Sequence, residues 1–239
     1  MPRNQRCVLP GLAYHVTQRG VDRANVFYSK HDRQTYLYLI QRNLKDAGVR
    51  VLAYSLMTNH VHWVVKADHE DSLAVLFRRV HGCYAQYFNA RRGRTGHLWQ
   101  NRYFSCALSV KHEGLAVQYA EWNPVRAGLV VEPEEYRWSS YQAHLAGPGT
   151  EEIPVLDWDY WRIMGCGDGW KQRIVEPVDR RQTFMLRRAT YAGAPVGDAE
   201  FVASMEQEFS RKWWAVREPH KPMGRQELVE RRSIVVAAS

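Results

Sequence analysis

Cysteine is scarce and scattered in this chain: Cys7, Cys83, Cys106 and Cys166 lie far apart and form no Cys-x-x-Cys pair. That spacing argues against a zinc knuckle and against a disulfide framework, and it suits a reducing compartment. Long hydrophobic runs are missing too; none could span a bilayer. The opening residues Met1-Pro2-Arg3-Asn4-Gln5-Arg6 lead into no apolar core segment, so no secretory leader is expected. Internal repeats are absent, and with them a solenoid architecture. Acidic residues are in deficit: 25 Asp and Glu against 33 Lys and Arg leave a net charge of +8 over 239 residues. A basic surplus suits a polyanionic partner, nucleic acid or an anionic membrane, although a merely soluble basic protein has it too. The basic residues here are interleaved with aromatics, as in Arg91-Arg92-Gly93-Arg94 and His97-Leu98-Trp99-Gln100-Asn101-Arg102-Tyr103-Phe104. Guanidinium groups meet phosphates while aromatic faces stack on unpaired bases, which favours nucleic acid. A soluble, cytoplasmic protein is expected.

Hydrophobic periodicity predicts alternating strands and helices in the first part. Residues 14–19 read as a strand closed by Gly20. Residues 32–47 carry Tyr36, Leu37, Ile40, Leu44 and Ala47 at helical spacing, with Gly48 ending the run. Residues 49–56 and 60–66 read as strands around the turn at Thr58-Asn59; in the second, Val61, Trp63 and Val65 make an apolar face. Ser72 is the expected N-cap of a helix through Phe88. A fourth strand is expected at 103–110 and a helix at 111–123 closed by Pro124. The order βαββαβ plus a helix implies an α+β fold, a ferredoxin-like antiparallel sheet with packed helices. Gly147-Pro148-Gly149 reads as a linker, which divides the chain into a catalytic domain, 1–145, and a mostly helical extension, 146–239. The extension shows one clear helix at 198–214 and a basic tail from Pro219, expected to be partly disordered.

Two clusters carry chemistry. His60 and His62 flank Val61, and a strand sets residues i and i+2 on one face. Tyr119 and Asn123 stand four apart, which puts them on one face of a helix. A strand histidine or a helix tyrosine is more often structural, and an Asn before Pro can be a plain C-terminal cap. Together, two imidazoles and a carboxamide oxygen suit an open divalent-cation site completed by substrate phosphate, with Mg²⁺ or Mn²⁺ the expected metal and zinc the rival. A tyrosine hydroxyl beside it is equipped for phosphoryl transfer, leaving a 5′-phosphotyrosyl enzyme and a 3′-hydroxyl that can reverse the step without ATP.

These residues resemble a known family. His60-Val61-His62 is similar to the His-hydrophobic-His signature of the HUH single-strand endonucleases, and residues 119–130, from Tyr119 through Asn123-Pro124 to Val130, resemble the REP-associated tyrosine transposases. Residues 11–20, 96–103 and 136–141 match as well, so that the likeness spans roughly residues 8 to 141; beyond 150 only Gly193-Ala194-Pro195-Val196-Gly197 resembles the family. The resemblance implies Tyr119 as nucleophile, His60, His62 and Asn123 at the metal, and a single-stranded REP or BIME hairpin with a 5′ GTAG as substrate. It also implies a monomer with Tyr119 acting in cis, in a bacterial, nucleoid-associated protein. Thr58 stands where many relatives have Pro, and Asn123 where insertion-sequence relatives have the longer Gln.

Candidate DNA contacts are Arg3, Arg6, Arg19, Arg23, Arg102 and Arg126, with Trp99 and Phe104 as stacking faces and the extension as a candidate hairpin contact. Two other readings compete with the transposase: a catalytically silent REP-hairpin binder, and a metal phosphoesterase that uses water and forms no covalent adduct.

Overall fold

The computed structural model describes residues 7–164, 170 and 177–213; Arg3, Arg6, Cys166 and the tail from Pro219 lie outside the described residues. Its first half runs β1 (Ala13–Arg19), α1 (Lys30–Ala47), β2 (Val49–Leu56), β3 (His60–Ala67), α2 (Ser72–Arg92) and β4 (Phe104–Leu108). The strands are ordered β2-β3-β1-β4 with each neighbouring pair antiparallel, the ferredoxin-like sheet that the element order implies. A bulge between Val51 and Ala53 interrupts the β2–β3 register.

Helix α1 begins two residues before the periodicity predicts because Ser29 and Asp32 cap each other. Ser29 Oγ accepts from the Asp32 amide at 3.1 Å, and Asp32 Oδ2 accepts from the Ser29 amide at 3.0 Å. The Asp32 carboxylate, fully buried, also takes the Arg92 guanidinium at 2.6 Å and the Tyr87 hydroxyl at 3.0 Å, which fastens α1 to the end of α2. Burial pushes its pKa up, but the Tyr28 amide and Arg92 outweigh that and hold it below its ordinary value. Ser72 is not the cap of α2. It is the first helical residue, and its hydroxyl accepts from the His69 amide at 2.9 Å, closing the turn before the helix.

Register assigns the two faces of the sheet. Thr17 lies opposite His62 and Arg19 opposite His60, while Val16 lies opposite Trp63 and Tyr14 opposite Val65. The face with Tyr14, Val16, Val61, Trp63 and Val65 packs under α1 and α2 in the larger core. The histidine face packs a second core that includes Ala13, Val64, Cys106 and Leu108 with the later helices. With both faces covered, the strands carry apolar residues on each, which is why β1 to β3 are buried almost throughout.

The later helices are α3 (Val110–Glu121), α4 (Asn123–Arg126), α5 (Tyr141–Ala146), α6 (Trp158–Ile163), α7 (Arg180–Ala192) and α8 (Ala199–Glu208), the last of which sends Met205 into the larger core instead. Leu156 and Val196 form parallel bridges to Val51 and Leu108, so the residues after the Gly147 turn attach to both edges of the sheet. Helix α7 has no counterpart in the sequence expectations. Helix α8 is shorter than 198–214: Asp198 caps it through the Phe201 amide at 3.0 Å, and Ser210, at φ 46°, breaks the chain direction before Trp213. Among the described residues no helix is long and apolar enough to cross a membrane.

Candidate active site

The site lies where β1 and β3 run side by side beneath α3 and α7. Residues 110–121 form a helix because Ala116, Val117, Tyr119 and Ala120 are buried at helical spacing, and the small alanines let the backbone approach the sheet. The helix does not stop at Pro124, as the sequence predicts, but at Trp122. Pro124 sits in the first turn of α4, where its missing N–H costs nothing. Gly128, at φ 67°, then ends the turn in the left-handed region. This break swings Arg126 back onto α3, its guanidinium 4.0 Å from the centre of the Tyr119 ring. Arg126 Nη2 also donates to the Tyr119 carbonyl at 3.1 Å and to Asn123 Oδ1 at 2.7 Å.

Two histidine rings meet the tyrosine, and a third joins them through His62. His62 stacks on His15 at 5.2 Å and lies 5.0 Å from His60; Tyr119 packs edge-on to His15 at 5.2 Å and to His62 at 5.6 Å. His15 is a residue the sequence reading passed over. Its ring links the site to α7, with Nδ1 2.7 Å from Thr190 Oγ1 and Nε2 2.9 Å from His62 Nδ1.

These contacts settle the protons. The Thr190 hydroxyl donates its only hydrogen to the Leu186 carbonyl at 2.7 Å, so toward His15 it accepts. His15 Nδ1 therefore carries a proton and its Nε2 a lone pair, which accepts from His62 Nδ1–H. The lone pair of His62 is left on Nε2. His60 reaches the same state by another route: Asn59 Nδ2 donates to the Arg23 carbonyl at 3.0 Å, turning Asn59 Oδ1 toward His60 Nδ1 at 2.6 Å. Both β3 histidines thus hold a proton on Nδ1 and a lone pair on Nε2, the form that binds a cation.

Burial keeps all three neutral. It lowers His15 to about 3 and His60 to about 4, helped by Arg126 at His15 and by Arg19, Arg187 and Arg126 at His60. His62 is held well below its ordinary value by burial first and then by its histidine and arginine neighbours. Tyr119, only 2% exposed, is raised by burial, against which the Arg126 and Arg187 charges pull it down.

Among the described residues no three His, Cys, Asp or Glu side chains gather to hold a metal. A cation here would rest on two imidazoles and, as a third donor, Asn123, whose oxygen keeps one lone pair beyond the bond from Arg126. The Asn123 Nδ2 group is buried without a partner, a donor left over for a phosphate oxygen or water. By its chemistry, a set of two imidazoles and a carboxamide oxygen would suit Mg²⁺ or Mn²⁺ with substrate oxygens completing the coordination.

The other candidates disperse. Arg19 flanks His60 across the β1–β3 ladder, with a buried and unpartnered Nε. Phe104 lies on the same face of the sheet, edge-on to Tyr191 of α7 at 5.0 Å. Arg102 and Arg23 are exposed. Trp99 lies in the larger core, 4.6 Å from the His81 ring, with its indole N–H donating to the His81 carbonyl at 3.1 Å. That puts it across the sheet from the histidine pair. Arg187, on α7, is a further residue unforeseen in the sequence.

The site is thus a four-stranded ferredoxin-like sheet that presents a His-x-His pair beside a helix-borne tyrosine. Residues 9–123 match the profile of the IS200-like transposases. About two thirds of the chain is similar in fold to a REP-associated tyrosine transposase solved with a REP hairpin, at 20% identity and a TM-score of 0.52, covering 66% of this chain and 94% of the other. A protein from Deinococcus radiodurans R1 assigned as a transposase matches at 17% identity and a TM-score of 0.36, over 49% of this chain and 93% of its own. No curated protein matches the sequence.

Proposed function

We propose that the protein is a metal-dependent DNA strand transferase of the transposase type, which cleaves and rejoins single-stranded hairpin DNA through Tyr119. The observation that carries this reading is the His60–His62 pair, each with its Nδ1 on a defined hydrogen-bond partner, with the His62 ring against that of Tyr119. The match to the transposase profile and a fold like that of a protein bound to a REP hairpin support a REP-type hairpin as substrate, and the sequence resemblance adds the 5′ GTAG.

In the reaction, Tyr119 Oη attacks the scissile phosphorus, the P–O3′ bond breaks, and the 5′-phosphate stays on the tyrosine. The phenol gives up a proton and O3′ takes one, so the step is balanced and can run backwards onto another 3′-hydroxyl. Arg126 holds the Tyr119 ring and favours the phenolate. His60, His62 and Asn123 would hold Mg²⁺ or Mn²⁺, which supplies polarisation of the phosphate. Tyr119 acts in cis in a monomer.

One observation favours the silent-binder reading: Tyr119 is almost fully buried beneath α7. Incubation with 5′-GTAG hairpin DNA and Mn²⁺ on denaturing gels decides between them. A DNA-linked protein band that disappears with EDTA and with Tyr119→Phe is the expected result. Cleavage without an adduct would make the protein a hydrolase. Native-gel binding without cleavage would make it a binding protein.

A further inference from the structure

The run Arg91-Arg92-Gly93-Arg94 lies at the end of α2, across the sheet from the histidine face. The fold ties it to the start of α1. Arg92 ends α2, Gly93 closes the helix in the left-handed region at φ 57°, and the Arg94 amide returns to the Asn89 carbonyl at 3.0 Å. The Arg92 guanidinium lies over two rings, 4.1 Å from the centre of Phe88 and 4.7 Å from that of Tyr28, while Arg94 is 5.5 Å from Phe88. Phe88 is buried, but Tyr28 is 61% exposed. Helix capping does not account for that ring. Tyr28 precedes the N-cap Ser29, where an apolar residue ordinarily packs against the fourth helical residue. Here the fourth residue is Arg33, and its guanidinium lies over Phe27 and Trp138 instead. Tyr28 is nonetheless held in place. Its amide donates to Asp32 Oδ2 at 2.8 Å, and the same buried oxygen takes Arg92 Nη2 at 2.6 Å. One carboxylate thus fixes both the backbone that carries the ring and the guanidinium over it. The Val26 and Phe27 amides donate to the Thr58 carbonyl at 2.9 and 3.2 Å, and Thr58 stands two residues before His60. The Tyr28 ring therefore sits at the end of the sheet where β3 begins, around that end from His60.

A solvent-facing ring that is already immobilised loses little freedom on binding and offers an unpaired base a face to stack on. Arg91, exposed, and Arg94, partly so, stand beside it as partners for phosphate. An acidic peptide would use the charges and leave the ring idle, and a duplex keeps its bases stacked on one another. The combination selects a single strand. We propose that Tyr28 is a base-stacking platform for single-stranded DNA, with Arg91 and Arg94 on phosphates of the same strand. Arg92, paired with Asp32, is a positioning residue that holds the ring. The inference rests on the reading of the protein as one that acts on single-stranded DNA. It adds a second point of hold, on the α1/α2 side of the sheet, to the one at Tyr119.

The test uses the full chain in EDTA and two fluorescent hairpins, one blunt and one with a single-stranded 5′ flank of about ten nucleotides that includes GTAG. Affinity is read by anisotropy over a salt series. Tyr28→Ala is expected to weaken the flanked hairpin roughly 5- to 150-fold, the range for one stacked base, and the blunt hairpin less than twofold. Tyr28→Phe keeps the ring and should bind within twofold of the parent. An abasic nucleotide moved along the flank should find one position that weakens the parent as Tyr28→Ala does and costs the Tyr28→Ala protein nothing more. Arg91→Ala/Arg94→Ala should flatten the log–log salt slope by about 1.4, and an unchanged slope would strike the arginines from the proposal. No loss with Tyr28→Ala, equal losses on both hairpins, abasic losses that add to it at every position, or a flanked hairpin that does not bind would overturn the platform. Adduct formation by the unmodified protein with Mn²⁺ is scored separately. An adduct without the Tyr28 effect leaves the transferase standing and removes the platform; the Tyr28 effect without an adduct keeps the platform on a DNA-binding protein.

Discussion

Replacing Thr190 by valine removes one hydroxyl, keeps the shape, and should cost the protein its grip on metal although Thr190 lies on a different helix from every proposed ligand. In the native chain the hydroxyl accepts from His15 Nδ1 at 2.7 Å, and His15 Nε2 accepts from His62 Nδ1 at 2.9 Å. With valine in place the His15 Nδ1–H has no acceptor, and an unpaired donor at a residue 1% exposed costs about 1–3 kcal/mol. The chain can avoid that penalty by reversing. His15 moves its proton to Nε2 and donates to His62 Nδ1, which drives the His62 proton onto Nε2 and removes the lone pair a cation needs. Metal binding must then undo the reversal and restore the unpaired donor. The penalty of about 1–3 kcal/mol reappears as an affinity loss of roughly 5- to 150-fold, in the range for a lost partner behind a ligating histidine. Mn²⁺ titration of EDTA-stripped protein by calorimetry reads the affinity directly, with no need for turnover. Thr190→Ser keeps the hydroxyl and should bind as the parent does. A Thr190→Val protein that melts normally and binds Mn²⁺ within twofold of the parent would refute the proton assignment.

Stability of the metal-free protein should fall on acidification. His15 and His60 have folded-state values of about 3 and about 4 against an ordinary 6.5, so below pH 6.5 the unfolded chain takes up protons that the folded one refuses. Stability is therefore complete above about pH 6.5 and drains away toward pH 4, at up to about 1.4 kcal/mol per pH unit for each histidine. Urea melts across that range in EDTA will show it; a flat profile would mean that the histidines are not held neutral. A second buried centre ties α3 to α5 and α6: the Glu121 carboxylate accepts from Ser140 Oγ at 2.6 Å and contacts His144 Nδ1 at 2.5 Å, and His144 stacks on Trp161 at 3.6 Å. His144→Ala leaves the Glu121 side chain with the Ser140 hydroxyl alone and should destabilise the fold by about 1–3 kcal/mol. Adding Glu121→Leu should recover much of the loss, and a single-variant cost under about 1 kcal/mol would show that the contact carries little weight.

Local sequence determined a good deal. The period-2 pattern of residues 60–66 separates Val61, Trp63 and Val65 from His60 and His62, and the structure puts the first set in the α1/α2 core and the second on the opposite face. Residues 49–56 form the strand expected of them, and the βαββαβ order leads to the sheet observed. Such features depend on neighbours a few positions apart, so they survive in a linear text. The alternation of basic and aromatic residues at 91–104 could not show which ring faces which layer. Trp99 joined the core across the sheet, while Phe104, five positions on, reached the histidine face.

Tertiary structure alone decided the rest. Thr190 and His15 are 175 positions apart, and no periodicity connects them; only the packing of α7 on β1 and β4 makes one the proton partner of the other. Arg126 is legible as a charge near Asn123, but its place over the Tyr119 ring depends on the backbone break between α3 and α4. The donor types and their faces follow from local chain geometry. Which nitrogen holds a proton, which charge opposes burial, and what holds an exposed ring in place are set by groups that only folding brings within a few ångströms.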